Sequence, residues 1–272
     1  MSPVSSTNDE PELLLERMDD IVILTLNRPH RRNALSSTLL VSLAQTLWEL
    51  AEEGGVRCAV MRGAGDKAFS AGMDLSALPE GLPADLQKQI EDKGPLQVGL
   101  DAVEDCPFPV IAMIRGYCIG GGCETSMACD LRVGAEGCRM GMPPARLGIV
   151  YPPEGIHRFI RNLGYPTAKR VFLTARLFEA AEAKEMGMLD YLVPGEELED
   201  FTLRLARDIA ANAPLSVAGI KRSMRIMTAM TPLGREERAE IDAIMGRALA
   251  SEDAREGIAA FREKRDPVFK GE

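Results

Sequence analysis

The sequence has few of the residues and segments that mark several common functional classes. Only two of its 272 residues are histidines, His30 and His157, and its six cysteines form no Cys-x-x-Cys pair. The usual ligand spacing of a zinc site is therefore missing. No apolar run approaches the roughly 18 residues that a membrane-spanning helix needs. We accordingly predict neither a metal site nor a membrane span.

Positive charge is also scarce. The chain has 32 Lys and Arg residues against 41 Asp and Glu residues, a formal net charge of −9, and no basic tract exceeds two residues, as in Arg31-Arg32. This balance argues against a nucleic-acid-binding protein. Residues 1–11 contain no basic segment followed by an apolar one, so we expect a flexible tail and not a signal peptide. The cysteines lie mostly in apolar runs, which favours buried, reduced thiols in a cytoplasmic protein.

The most informative stretch contains three successive glycines, Gly120-Gly121-Gly122. An apolar run over 109–114 predicts a buried strand before it, and mostly apolar residues predict a short helix after it. The glycines allow close approach of the backbone, and the first turn of the helix leaves N–H groups unpaired. Such donors suit an anion or a developing oxyanion. Glu124 follows one turn later, as a helix-capping residue or as an acid/base. The stretch matches neither a P-loop nor the Gly-x-Gly-x-x-Gly fingerprint.

The order of predicted elements divides the chain. A hairpin, a helix capped by Ser36 or Ser37, and a strand over 58–62 precede a loop of small residues over 63–75. Strands and helices then alternate up to a short strand at 191–193. From residue 196 onward the apolar spacing is helical throughout. We therefore predict a core over 12–195 and a C-terminal helical subdomain over 196–272.

Two motifs about fifty residues apart carry a family resemblance, Asp66-Lys67-Ala68-Phe69-Ser70-Ala71-Gly72-Met73-Asp74 and Gly116-Tyr117-Cys118-Ile119-Gly120-Gly121-Gly122-Cys123-Glu124. Together they resemble the enoyl-CoA hydratase/isomerase (crotonase) superfamily. The resemblance implies an α/β fold, a spiral of β-β-α repeats, followed by C-terminal helices that pack against neighbouring subunits in a homotrimer or a dimer of trimers. It also implies an acyl-CoA substrate, with coenzyme A as part of the thioester and no prosthetic group.

The same resemblance suggests residue roles. The backbone N–H groups of Met73 and Gly121 are expected to form an oxyanion hole around the thioester oxygen. Glu124 is expected to donate a proton or position water, with a pKa raised by apolar surroundings. Candidates for contacts with coenzyme A, the last two from an adjacent subunit, are Arg31, Arg32, Lys67, Ala68, Ala71, Asp74, Leu75, Phe269 and Lys270.

The motifs leave the reaction open, because family hydratases use a second glutamate where this chain has Pro144. The segment around Tyr151 resembles methylmalonyl-CoA decarboxylase-like members instead. Decarboxylation needs no base, since departure of CO₂ itself leaves the enolate, and a phenol could orient the leaving carboxylate. We therefore predict a decarboxylase-like lyase. Two alternatives stay open: a hydratase in which Glu154 replaces the missing acid, and a non-catalytic relative that binds acyl-CoA or RNA. The length of the acyl pocket is expected to depend on residues 76–98.

Overall fold

The computed structural model describes residues 10–74, 82–229, 231 and 233–271. Most of the predicted tail, Leu75 and the first part of the 76–98 region lie outside the described residues. Within them the strands are β1 (Leu13–Met18), β2 (Ile21–Leu26), β3 (Cys58–Gly63), β4 (Ala68–Ser70), β5 (Val110–Ile114), β6 (Tyr117–Ile119), β7 (Leu131–Ala135), β8 (Arg139–Gly141), β9 (Leu177–Glu179) and β10 (Tyr191–Val193).

The helices of the described residues lie between and after these strands. They are α1 (Ser37–Glu53), α2 (Ala84–Lys93), α3 (Pro95–Asp105), α4 (Gly121–Ala128), α5 (Pro153–Thr174), α6 (Ala180–Glu185), α7 (Leu198–Ala210), α8 (Pro214–Met227), α9 (Arg235–Ala250) and α10 (Glu252–Glu263). Helix α1 begins as predicted, because the Ser36 hydroxyl accepts a hydrogen bond from the Leu39 N–H at 3.0 Å. In the described part of the chain, no helix is both long enough and apolar enough to span a bilayer.

The strands form two sheets with a repeating connection. One sheet has the order β1-β2-β3-β5-β7-β10, and the other has the order β4-β6-β8-β9. The pairs β3/β4, β5/β6 and β7/β8 each place a first strand in the larger sheet and a second strand in the smaller sheet, before the chain enters helices. This repetition confirms the predicted spiral of β-β-α units.

The larger sheet is covered on both faces. Alternate side chains of β2, β3 and β5 point to opposite sides, as the period of two in a strand requires. Leu24, Met61 and Ala112 join a large core with α1. On the other face, the core contains Val60 and Ala206, so α7 packs against the sheet. A domain boundary at residue 196 stays a prediction.

The smaller sheet was predicted only in part. The sequence predicts a strand over 139–142, which is β8, but the other three strands were missed. Strands β4, β6 and β9 have three residues each, too short to show a period, and loops were expected at the first two.

The four prolines within 143–155 predict a stiff loop and not a helix. The structure instead forms a 3₁₀ turn at Pro144–Leu147, and α5 begins at Pro153. A proline at the first helical position lacks only an N–H that would have no helical acceptor. Gly164, with φ +74°, kinks α5, and the sequence predicts two shorter helices on either side of it, over 155–163 and 167–174.

Candidate active site

The candidate site lies at one edge of the smaller sheet. Strands β4, β6 and β8 run parallel, so the segments that follow them emerge at the same edge. Met73 follows β4, Gly121 follows β6, and Pro144 follows β8. Ligands of parallel α/β sheets bind outside the carboxyl ends of the strands. The topology therefore brings together residues that are about seventy positions apart in the chain.

Two backbone N–H groups converge at this edge. The Leu35 N–H donates to the Gly72 oxygen at 2.7 Å and the Asp74 N–H donates to the Leu35 oxygen at 2.9 Å, so the N–H of Met73 between them points to the opposite side. Gly121 is the first residue of α4, and its N–H has no acceptor within the helix. A Cβ atom placed on Gly121 would lie 3.5 Å from the Met73 nitrogen. The backbone of Gly121 therefore lies close to the Met73 nitrogen.

The segment that carries Met73 is held by two polar residues that the sequence analysis did not single out. The buried Asn33 amide donates to the oxygens of Ala64 at 3.0 Å and Ala68 at 2.7 Å, and its oxygen accepts from the Arg28 N–H at 3.1 Å. The Arg28 guanidinium donates to Asp74 at 2.7 Å. Asn33 also has φ +55°, a conformation that asparagine tolerates better than most residues. In the sequence, the available signal for this role was the position of these polar residues between a predicted buried strand and a predicted apolar helix.

The Glu124 carboxyl group is buried between a phenol and a guanidinium. Only 2 % of Glu124 is exposed. One carboxyl oxygen accepts a hydrogen bond from the half-buried Tyr151 hydroxyl, and the other binds the buried Arg158 guanidinium. Burial raises the pKa of Glu124, whereas Arg158 and Tyr151 act to lower it. The expected direction is correct, but the expected apolar surroundings are wrong. Burial and the neighbouring carboxylate also raise the pKa of Tyr151 well above its ordinary value, so the phenol stays protonated.

Arg158 connects Glu124 to a second buried carboxylate. Arg158 Nε and Nη2 lie 2.9 and 3.3 Å from the two oxygens of Glu104. Arg161 and Arg225 also contact Glu104, the latter at 2.9 Å. Burial acts to raise the pKa of Glu104, but the three arginines outweigh it and the pKa is lowered. This network was not predicted from the sequence. The available signal was Arg158 itself, which lies three residues after Gly155 and next to Phe159 on the buried side of α5.

A cavity of about 480 Å³ contains the candidate reacting groups. Met73, Glu124, Tyr151 and Glu154 line it together. Glu154 is not a free acid, because its Oε1 accepts from Arg238 Nη1 at 2.6 Å. Partial burial acts to raise the pKa of Glu154, but the contact with Arg238 outweighs it and the pKa is lowered. Glu154 therefore suits the role of a base better than that of a proton donor.

A second, more polar cavity of about 450 Å³ shares several wall residues with the first. The shared residues are Lys93, Gln97, Asp101, Glu154. His157 and the network of Arg158, Glu104, Arg161 and Arg225 line the second cavity. Arg158 thus stands between the two spaces. His157 is among the residues that line the second cavity and not among those that line the first.

The candidates for coenzyme A contacts fall into two groups. Arg31, Arg32, Lys67 and Ala71 are exposed, Asp74 is partly exposed, and Ala68 is buried. The Arg32 oxygen accepts from the Ala71 N–H at 3.0 Å, so the two loops adjoin near Met73. Phe269 and Lys270 are exposed and do not line the cavity of their own chain. The Lys270 N–H instead donates to Asp253 of α10 at 2.7 Å.

Comparison with known proteins assigns the family. The family model described as "Enoyl-CoA hydratase/isomerase" matches residues 16–272. The chain belongs to the enoyl-CoA hydratase/isomerase family. It is 34 % identical to methylmalonyl-CoA decarboxylase of Escherichia coli (strain K12), over 93 % of this chain and 96 % of the relative. It is 36 % identical to enoyl-CoA hydratase EchA19 of Mycobacterium tuberculosis (strain ATCC 25618 / H37Rv), over 98 % of this chain and 99 % of the relative.

A solved structure agrees with this assignment. Methylmalonyl-CoA decarboxylase in complex with 2-nitronate-propionyl-CoA superimposes with a TM-score of 0.85 at 32 % identity, covering 96 % of this chain and 99 % of that chain. The predicted fold class is therefore confirmed. Relatives of this chain carry both decarboxylase and hydratase names, so the family is shared while the reactions differ.

Proposed function

We propose that this family member is an acyl-CoA lyase that removes CO₂ from a 2-carboxyacyl-CoA of the methylmalonyl-CoA type. The observation that carries the proposal is the hydrogen bond between the Tyr151 hydroxyl and Glu124 in the cavity that Met73 also lines. No second carboxyl group stands at position 144, where proline is buried in a 3₁₀ turn. A lyase that needs no second acid fits this constellation.

The mechanism uses the two converging N–H groups and the phenol. The N–H groups of Met73 and Gly121 hold the thioester oxygen. When the bond between the α-carbon and the carboxylate breaks, its electron pair passes into the enolate, and the two donors stabilise the developing negative charge. Tyr151, whose hydroxyl donates to Glu124 in the ligand-free protein, would turn its hydrogen to the substrate and orient the leaving carboxylate. Glu124, whose pKa is raised by burial, would in its neutral form supply the proton that the α-carbon takes up, and is left as the carboxylate.

Hydration of a 2-enoyl-CoA is the second candidate, because Glu154 and Glu124 line the same cavity. In that reaction Glu154 would act as the base that activates water, while Glu124 would donate the proton. The ion pair between Glu154 and Arg238 counts against it, since the pair must open or share its carboxylate with the water.

Binding of coenzyme A and assembly belong to the same proposal. The thioester would extend past the adjoining loops of Arg32 and Ala71, with Phe269 and Lys270 contributed by a neighbouring subunit. Helix α8 has exposed apolar side chains, including Leu215 and Met227, which supports the predicted trimer or dimer of trimers. Light scattering of the purified protein would measure the assembly.

The reaction is tested by offering both substrates to one preparation. Purified protein is incubated with methylmalonyl-CoA and, separately, with crotonyl-CoA, while CO₂ release and loss of the enoyl absorbance are followed. We expect CO₂ release that is reduced in Tyr151→Phe and retained in Glu154→Gln. Glu179→Gln is the matched control, because Glu179 is also a glutamate at the start of a helix that pairs with an arginine.

Two results contradict the proposal. Hydration of crotonyl-CoA that disappears in Glu154→Gln but not in Glu179→Gln favours the hydratase. Tight binding of acyl-CoA without turnover of either substrate favours the non-catalytic alternative. Retention of Glu154→Gln activity with methylmalonyl-CoA supports decarboxylation.

A further inference from the structure

The strongest unexplained feature beside the cavity is the Arg158–Glu104 pair. Both side chains are almost completely buried, with 3 % and 5 % exposed, yet neither is a reacting group in the proposed mechanism. Breaking such a pair leaves an uncompensated buried charge, and burying the pair at all carries a desolvation penalty. A purely apolar contact between α3 and α5 would fill the same space without that penalty. The position of the pair directly behind Glu124 offers a reason for its presence.

We infer that Arg158 is a positioning residue for Glu124, fixing the orientation and the charge of its carboxyl group, and that Glu104 holds Arg158 in place for this task. The inference rests on the proposed role of Glu124 as the proton source. It deepens that role, because it explains how the buried carboxyl group keeps one orientation and how its charge is controlled.

The geometry of the guanidinium carries the inference. Its Nε and Nη2 face the two oxygens of Glu104, at 2.9 and 3.3 Å, and its Nη1 binds one oxygen of Glu124. A planar guanidinium that is bound on two sides cannot rotate without losing a hydrogen bond. Because Tyr151 binds the other oxygen, both oxygens of the Glu124 carboxyl group are held by hydrogen bonds.

The charges that face Glu124 act in opposite directions. Arg158 from α5 favours the carboxylate, whereas Glu104 from α3, behind Arg158, and burial favour the neutral acid. Other groups around the site are Asp101 on α3, Glu154 at the start of α5 and Arg132 on β7, whose guanidinium binds the Cys129 oxygen beyond α4. Among the described residues, the hydrogen-bond partners of the Glu124 carboxyl group are Tyr151 and Arg158, and these act on its charge together with burial and Glu104.

The two members of the pair should therefore shift the titration of Glu124 in opposite directions. In Arg158→Met the cation that stabilises the Glu124 carboxylate is gone, and we expect the titration of Glu124 to move upward by about 1–3 pH units. In Glu104→Gln, Arg158 keeps its charge without its partner, and we expect a downward movement. Arg158→Lys retains a charge but not the planar fork, so we expect a smaller upward movement but a loss of kcat. A role limited to holding the fold would not produce opposite signs.

The titration is measured in the ligand-free protein, independently of any turnover. Infrared difference spectra between each variant and the same variant carrying Glu124→Gln isolate the carboxyl band of Glu124 across pH. Arg170→Met is the matched control, because Arg170 lies on the same helix, is half exposed and pairs with Glu182. Its Glu124 band should titrate as in the wild type. Circular dichroism confirms that each variant is folded.

A folded Arg158→Met protein whose Glu124 band titrates as in the wild type overturns the inference, as does an upward shift in Glu104→Gln. If either single variant fails to fold, the double variant Arg158→Met/Glu104→Gln removes the pair as a unit, and its Glu124 band should titrate above that of the wild type. No change in the double variant also overturns the inference. The readout separates this inference from the proposed reaction: the band can shift as expected even if no CO₂ is released, and CO₂ release can occur without the shift.

Discussion

Tyr151 donates its hydroxyl hydrogen to the Glu124 carboxylate, although the two residues come from different elements, the loop before α5 and the helix α4. The contact places a phenol and a carboxyl group in one cavity beside Met73.

Removing the Tyr151 hydroxyl should reduce turnover more than binding. In Tyr151→Phe we expect kcat for CO₂ release to fall by about 10²-fold with little change in KM, because the phenol is proposed to orient the leaving carboxylate. Steady-state kinetics with methylmalonyl-CoA measure both constants. Tyr165→Phe is the control, since Tyr165 is an exposed tyrosine on α5. An equal loss in both variants would contradict a specific role for Tyr151.

A methyl group at position 121 should intrude between the two donors. Its Cβ would lie 3.2 Å from the Met73 Cγ and 3.5 Å from the Met73 nitrogen, close to where the thioester oxygen is proposed to bind. In Gly121→Ala we expect kcat to fall by about 10²–10³-fold, as when an oxyanion donor is lost, with a melting temperature near that of the wild type. Gly246→Ala, on α9 with open space around the added atom, should keep full activity. Wild-type turnover by Gly121→Ala would argue against the proposed oxyanion hole.

The support of the Met73 segment by Asn33 should be visible in stability. In Asn33→Ala the backbone oxygens of Ala64 and Ala68 lose their donor, and the residue keeps a positive φ that asparagine tolerates better than alanine. We expect the free energy of unfolding to fall by about 2–3 kcal/mol, measured by urea denaturation. Asn212→Ala, at an exposed helix end, should change it little. An equal fall in the free energy of unfolding of both variants would mean that the Asn33 contacts stabilise the fold no more than those of an exposed asparagine do.

The buried Glu104 carboxylate should make stability depend on acid. Its pKa in the folded protein is lowered below the ordinary 4.5, so its contribution is present above that value and is lost as the pH falls through the folded value. At pH 7 we expect Glu104→Gln to destabilise the protein by about 3–5 kcal/mol. The difference from the wild type should narrow as the pH drops below 4.5. Denaturation curves over a pH series test this, and a difference that stays constant would contradict it.

The sequence was sufficient where a local pattern decides the structure. The glycines before Glu124, the Ser36 cap of α1 and the apolar faces of α7 to α10 each depend on neighbours within a few residues. The family motifs also predicted that Met73 and Gly121 lie near each other, and a Cβ atom placed on Gly121 would be 3.5 Å from the Met73 nitrogen. Their role as an oxyanion hole stays a prediction.

The sequence was insufficient where distant partners decide it. Arg158 and Glu104 are 54 positions apart, and nothing in either neighbourhood shows that they pair. The three-residue strands β4 and β6 exist because each lies beside the other in one sheet, and no period can appear over so short a length. Likewise, Asn33 resembles an ordinary turn residue until its amide is seen to bind the Ala64 and Ala68 oxygens.

The converging N–H groups of Met73 and Gly121 are main-chain atoms. A substitution at position 73 therefore changes the wall of the cavity without deleting the nitrogen that is proposed to face the ligand. Chemical diversity on this scaffold can then arise from side chains on the segment before α5 and on α5 itself, while the two proposed donors are kept. A library randomised at Met73 and Tyr151 would accordingly be a route to altered acyl selectivity in a protein that still folds.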